Sequence, residues 1–134
     1  MYRRDLLLAE VQKLGLALSR IFGLREEGKL EEADHALDEV FEKEFGILSS
    51  DLTACTITDF TLFLTVKEFP ADKLDMFSQF LYLKFNPARP EEHTFSIAEK
   101  LQLIYQQLEI KHHVINMINL DRQKTVEQYI KLNT

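Results

Sequence analysis

Apolar residues recur at steps of three and four along most of this chain. From Leu6 to Phe22 the positions Leu7, Val11, Leu14, Leu18 and Ile21 form one stripe, with Arg3, Glu10, Lys13 and Arg20 away from it. That period predicts an amphipathic helix. Gly15 inside it would cost up to about 1 kcal/mol relative to alanine, which predicts a close helix contact at that point, and Gly23 is placed to loosen or end the helix. Gly28 reads as a turn residue. A second stripe, Leu30, Ala33, Leu37, Val40, Phe41 and Phe45, leads to Gly46, a residue suited to cap a helix C-terminus in the left-handed conformation.

The stretch "SSDLTACTITDFTLFLTVKEF" carries two signals at once. Its threonines, valine and phenylalanines favour strands, with partial two-residue alternation from Ile57 to Val66. Ser50 with Asp51, and Thr58 with Asp59, are helix-capping residues ahead of Phe60, Phe63 and Leu64. A lone hairpin would have nothing to pair with, so the expectation is one or two short helices. Pro70 suits the first turn of the next helix, whose stripe Leu74, Phe77, Phe80 and Leu81 ends at Phe85, before Asn86 and Pro87. "NPARPEEH" is a loop. The following helix starts at Pro90 or at Ser96, where Ser96 and Glu99 make an S-x-x-E capping box, and it buries Ala98, Leu101, Ile104, Tyr105 and Leu108. "HHVINM" is either extended or a continuation of that helix, and Asn119 is placed to cap a last helix through Val126, Tyr129 and Ile130. These elements make an all-α fold, a compact domain of five to seven helices packed as antiparallel hairpins, spanning residues 1–134 as one unit.

Size agrees, since 134 residues at 15.7 kDa can bury roughly two thirds of their unfolded surface without disulfides. Cys55, the single cysteine, cannot form an internal disulfide and has no zinc-type partners in sequence, which suits a reducing compartment. The opening "MYRRDLLLAE" has too short an apolar run for a signal peptide, and no run approaches the roughly 18 residues of a membrane span. The cytoplasm is the expected location. Net charge is −6, unevenly spread: residues 1–25 hold five bases against two acids, and residues 26–45 nine acids against two bases. Successive helices of opposite sign could face each other along their rims. Such a balance offers no coherent basic face for nucleic acid.

The segment from Gly28 resembles the middle of a tetratricopeptide repeat, in which a glycine turn precedes a helix opening on Tyr/Leu-x-x-Ala. The matching residues are Gly28, Leu30 and Ala33, with Leu37 and Val40 at later packing positions, and the likeness covers about residues 17–45. Ala17 and Ile21 stand where the repeat's first helix has its aromatic and glycine pattern. The resemblance implies a repeat-like hairpin in which Ala33, with Ala36 at the edge of the stripe, lets one helix lie close against the other. "FSIA" at Phe95–Ala98 echoes "LEEA" without a turn glycine. The opening "MYRRDLLLAEVQKL" with "GKLEEA" is also similar to a group of small bacterial proteins of unknown function built from repeat-like helices. That likeness implies a fold and no activity.

Candidate chemistry is sparse. Glu32-x-x-His35 and Glu109-x-x-His112 have the spacing that carboxylate-bridged di-iron bundles use, with Glu10 and Glu68 as the remaining carboxylates such a site would need. At about 100° per residue, however, Glu32 and His35 fall opposite the stripe Leu30, Ala33, Leu37 and Val40. Adjacent His112 and His113 cannot converge on one ion from a regular helix. The glycines are isolated, so no phosphate loop is present, and Ser49 and Ser50 read as caps. Six of ten phenylalanines lie between Phe60 and Phe85. Most are expected in the core, whereas Phe77, Phe80 and Phe85 exposed together would mark a partner patch. The sequence therefore leads to a non-catalytic interaction or structural module without cofactor, taking a protein, a peptide or a second copy as partner, and neither nucleic acid nor membrane. The alternative is a metal protein or enzyme using Glu32, His35, Glu109 and His112.

Overall fold

The computed structural model describes residues 2–88, 90–114 and 117–134. The side chain of Arg3 and residues 115–116 of "HHVINM" lie outside that description. The described residues form seven helices and no strand: α1 (Tyr2–Glu26), α2 (Leu30–Phe45), α3 (Ser49–Ala54), α4 (Ile57–Lys67), α5 (Ala71–Lys84), α6 (Thr94–Ile110) and α7 (Met117–Leu132). None is long and apolar enough to cross a membrane. The helices gather into two compact units, residues 1–52 and 53–134.

In the first unit α1 and α2 pack against each other. The link between them is a glycine-centred helix stop. Gly28, at φ 80°, donates its N–H to Arg25 O (3.0 Å) while Lys29 donates to Leu24 O (2.9 Å), the paired 5→2 and 6→1 bonds of a Schellman turn. Gly23 does not end α1, which runs on to Glu26. Gly15 is not a close contact either, because a Cβ built there meets nothing within 4 Å. Between the helices Leu14, Ile21, Ala33, Leu37 and Val40 are buried. Ala33 is wholly enclosed and Ala36 is half-buried at the edge. Gly46, at φ 72°, ends α2 as its position predicts, and Ile47 N–H reaches Phe41 O at 3.0 Å.

In the second unit α6 is the common neighbour, with α4, α5 and α7 all packed against it. The ambiguous segment resolves into two helices, α3 and α4. The cap of α4 is Thr56, not Thr58 or Asp59: its Oγ1 accepts from Asp59 N–H at 3.1 Å. Strand-favouring threonines are tolerated because Thr61 and Thr65 turn their hydroxyls onto the carbonyls of Ile57 (2.8 Å) and Thr61 (2.9 Å). Phe60 and Leu64, one turn apart, are then buried. The start of α6 falls between the two expected positions, at Thr94, whose hydroxyl accepts from Glu91 N–H at 2.8 Å. Ser96 caps nothing. After α6 the chain turns out of the helix at His113, φ 56°, with Val114 N–H on Leu108 O at 2.8 Å. Asn119 is not a cap but lies inside α7.

Phe77, Phe80 and Phe85 do not form a surface patch. They are 0%, 0% and 5% exposed, which corrects their reading as a partner site. The physical reason is mutual packing: the Phe77 ring stands 6.0 Å from Phe60 and from Phe69 and 6.3 Å from Phe63, and Phe85 meets Tyr129 edge-on at 5.4 Å. Edge and tilted pairs at this spacing add about 0.5–1.5 kcal/mol each beyond burial.

Candidate functional site

A cleft of about 140 Å³ runs between α1 and α2. Its floor is apolar and shallow-sided, made by Leu14, Ala17 and Ile21 from α1 and Ala36 and Val40 from α2. The two alanines keep it open. A larger residue at either place would fill the space where the helices' ridges diverge. Charged side chains form the rim: Lys13 and Arg20 on α1, Glu39, Lys43 and Glu44 on α2.

Most of that rim is satisfied within the hairpin. Lys13 Nζ bridges the helices to Glu44 Oε1 at 2.9 Å, Lys43 Nζ lies 3.9 Å from Glu39 Oε2, and His35 Nε2 is 3.0 Å from Glu39 Oε1. These exposed pairs are worth about 0–1 kcal/mol each. Arg20 is exposed and makes no ion pair among the described residues.

The surface of α1 is the other unusual feature. Apolar side chains occur on every side of this helix, yet among its described side chains only Leu14 and Ile21 are buried. Leu16 is 75% exposed, Leu6 55%, and Leu8 and Phe22 are also open. By contrast α2 is one-sided, with its acids outward and its apolar stripe inward.

The four metal candidates are dispersed. Glu32 and His35 belong to the first unit and are exposed, as the helical phase of α2 requires, while Glu109 and His112 belong to the second, Glu109 exposed and His112 half-buried just beyond the end of α6. No group of three or more His, Cys, Asp or Glu that could hold a metal ion occurs among the described residues.

Two polar clusters in the second unit, one around a buried lysine and one half-buried, escape a reading by residue type. Lys100 is 1% exposed, and its Nζ donates to Ser96 Oγ at 2.6 Å, to Cys55 O at 2.7 Å and, more weakly, to Thr53 O at 3.5 Å. Ser96 Oγ in turn donates to Thr53 O at 3.2 Å. Burial pushes the Lys100 amine below its ordinary range, with Cys55 and Glu99 pulling the other way. This cluster ties α6 to the chain preceding α4. A signal for it did exist: position 100 shares the helical phase of Ile97, Leu101 and Ile104. In the second cluster Asp75 Oδ1 accepts from Asn119 Nδ2 at 2.7 Å and Asp75 Oδ2 from Gln79 Nε2 at 2.9 Å, while the Arg122 guanidinium lies 4.7 Å over the Tyr82 ring. Tyr105, 2% exposed, has no hydrogen-bond partner for its hydroxyl among the described residues. Desolvation raises its pKa well above the usual tyrosine range. The adjoining cavity, between Tyr105, Asn119 and Gln123, is about 10 Å³, the room of one water. The residues of neither cluster line the cleft between α1 and α2, which at about 140 Å³ has the room for an occupant and is the candidate site.

Comparison with known proteins returns no match: no family model, no curated protein and no solved structure is significantly similar to this chain.

Proposed function

We propose that this protein is a non-catalytic interaction module, built on a tetratricopeptide-repeat-like hairpin, whose α1–α2 cleft receives a segment of another protein. One observation carries the reading. A helix apolar on all sides is ordinarily surrounded, but α1 has one packed neighbour within its unit and leaves Leu6, Leu8, Leu16 and Phe22 open. Exposed apolar residues in this number on one helix, with Leu16 one turn from the rim residues Lys13 and Arg20, mark a protein contact. The alanines at 17 and 36 serve this role as the small residues of repeat hairpins do, by holding open a groove for a helix or peptide. Cys55, as the single cysteine, cannot form an internal disulfide, which suits work in a reducing compartment such as a bacterial cytoplasm.

The test is site-specific photo-crosslinking in the native cell extract, with the reactive group at position 16 beside the cleft or at Glu42 on the outer face of α2. Discrete adducts from position 16, absent from position 42 and lost on Ala36→Phe, are expected. Adducts of equal pattern from both positions, or none from position 16, would sink the reading.

A further inference from the structure

We infer that the seam between α6 and α7 binds one internal water molecule, which accepts a hydrogen bond from the Tyr105 hydroxyl and donates to the side-chain amides of Asn119 and Gln123. The site lies wholly within residues 53–134 and is independent of the interaction role proposed above. Tyr105 is 2% exposed, and its hydroxyl has no hydrogen-bond partner among the described residues. A hydroxyl taken out of water and left unpaired is costly, so folded interiors seldom hold one. The tyrosine lines a cavity of about 10 Å³ together with Leu108, Val114, Asn119 and Gln123. That is the room of a single water, and such a water is retained where about two to four polar groups hold it. The hydroxyl and the two amides supply that number.

Acceptors are otherwise scarce in this part of the fold. Asp75 Oδ1 already accepts from Asn119 Nδ2 at 2.7 Å, and Asp75 Oδ2 from Gln79 Nε2 at 2.9 Å. Arg122, close enough for its charge to act on Tyr105, has an enclosed Nη1 that is likewise without a partner among the described residues. A water oxygen is the smallest group that relieves such a surplus of donors. Its bonds matter to α7 in particular, because among the described side chains of that helix only Asn119 and Val126 are buried. Polar links across the seam therefore carry much of its docking, and a bond relayed by water serves nearly as well as a direct one.

The test uses the full chain. A crystal structure is expected to show one ordered water in the cavity, about 3 Å from Tyr105 Oη. In solution, nuclear Overhauser transfer should pass from a long-lived water to the backbone amides of the cavity-lining residues. Tyr105→Phe keeps the aromatic wall and removes the donor, whereas Gln123→Leu replaces an amide by an apolar side chain of similar length. Both variants should lose the water density and the transfer, with the amide spectrum away from the seam unchanged. A dry cavity in the parent overturns the assignment, as does a Tyr105 hydroxyl bonded directly to a protein carbonyl. So does a water that persists unchanged in both variants, since the hydroxyl and the amide would then not be what holds it. Should either variant fail to fold, the density and the transfer in the parent decide the matter by themselves.

Discussion

At the scale of single residues, two buried polar groups carry opposite consequences. Lys100 is enclosed but fully engaged, so losing it removes a charged donor from the Cys55 carbonyl and from Ser96 Oγ. Lys100→Met is expected to destabilise by about 1–3 kcal/mol, measured as a lower urea midpoint with unchanged slope. Tyr105 is enclosed with no partner for its hydroxyl among the described residues. Tyr105→Phe should therefore fall within about 1 kcal/mol of the parent at neutral pH, or above it. The alkaline behaviour follows from linkage. The folded protein holds the Tyr105 proton to a higher pH than the unfolded chain, which ionises near pH 10. Stability from this group is thus complete below about pH 10 and is lost as pH climbs through the raised folded value. Denaturant curves taken at neutral pH and above pH ~10 should show Tyr105→Phe losing less than the parent. Parallel losses would refute the assignment.

At the scale of elements, the glycines separate into those that end helices and those that merely sit in them. Gly46 stops α2 in the left-handed region, where a Cβ costs about 1–2 kcal/mol. Gly15 lies in regular helix with open space around its missing Cβ. Gly46→Ala is accordingly expected to lower the melting temperature and Gly15→Ala to raise it, by up to about 1 kcal/mol in stability for the latter. The pattern of apolar residues located α1, α2, α5 and α6 to within a few residues, because each buries a stripe that repeats along its own axis. It misplaced the cap of α4 at Thr56 and the start of α6 at Thr94. Several Ser, Thr and Asp residues there were equally able to cap, and the choice was made by which register buries Phe60 in α4 and Ile97 with Ala98 in α6.

At the scale of the whole molecule, protection should be graded. Among the described residues, α5 and α6 hold the densest run of fully enclosed side chains, including Phe77, Phe80, Leu81, Leu101 and Ile104, whereas residues 4–9 of α1 are exposed or half-buried. Native-state hydrogen exchange is expected to be slowest in α5 and α6 and fastest over the opening turns of α1. Engagement of α1 by a partner should slow its exchange selectively. Uniform protection along α1 in the isolated protein would contradict both the exposure of its leucines and the interaction role built on it.

The all-α architecture, the hairpin turn at Gly28 and the stop at Gly46 were determined by the sequence alone, since periodicity and left-handed glycines are local properties that neighbours do not need to supply. The outward aim of Glu32 and His35 was equally local, being fixed by helical phase. Other features were decided only in three dimensions: the burial of Lys100, the Asn119–Asp75 contact, the enclosure of Phe77, Phe80 and Phe85, and the open cleft over Ala17 and Ala36. Each depends on which residues from distant parts of the chain, or from the next helix, arrive at the same place, and a pattern read along one strand of sequence carries no distance across the fold.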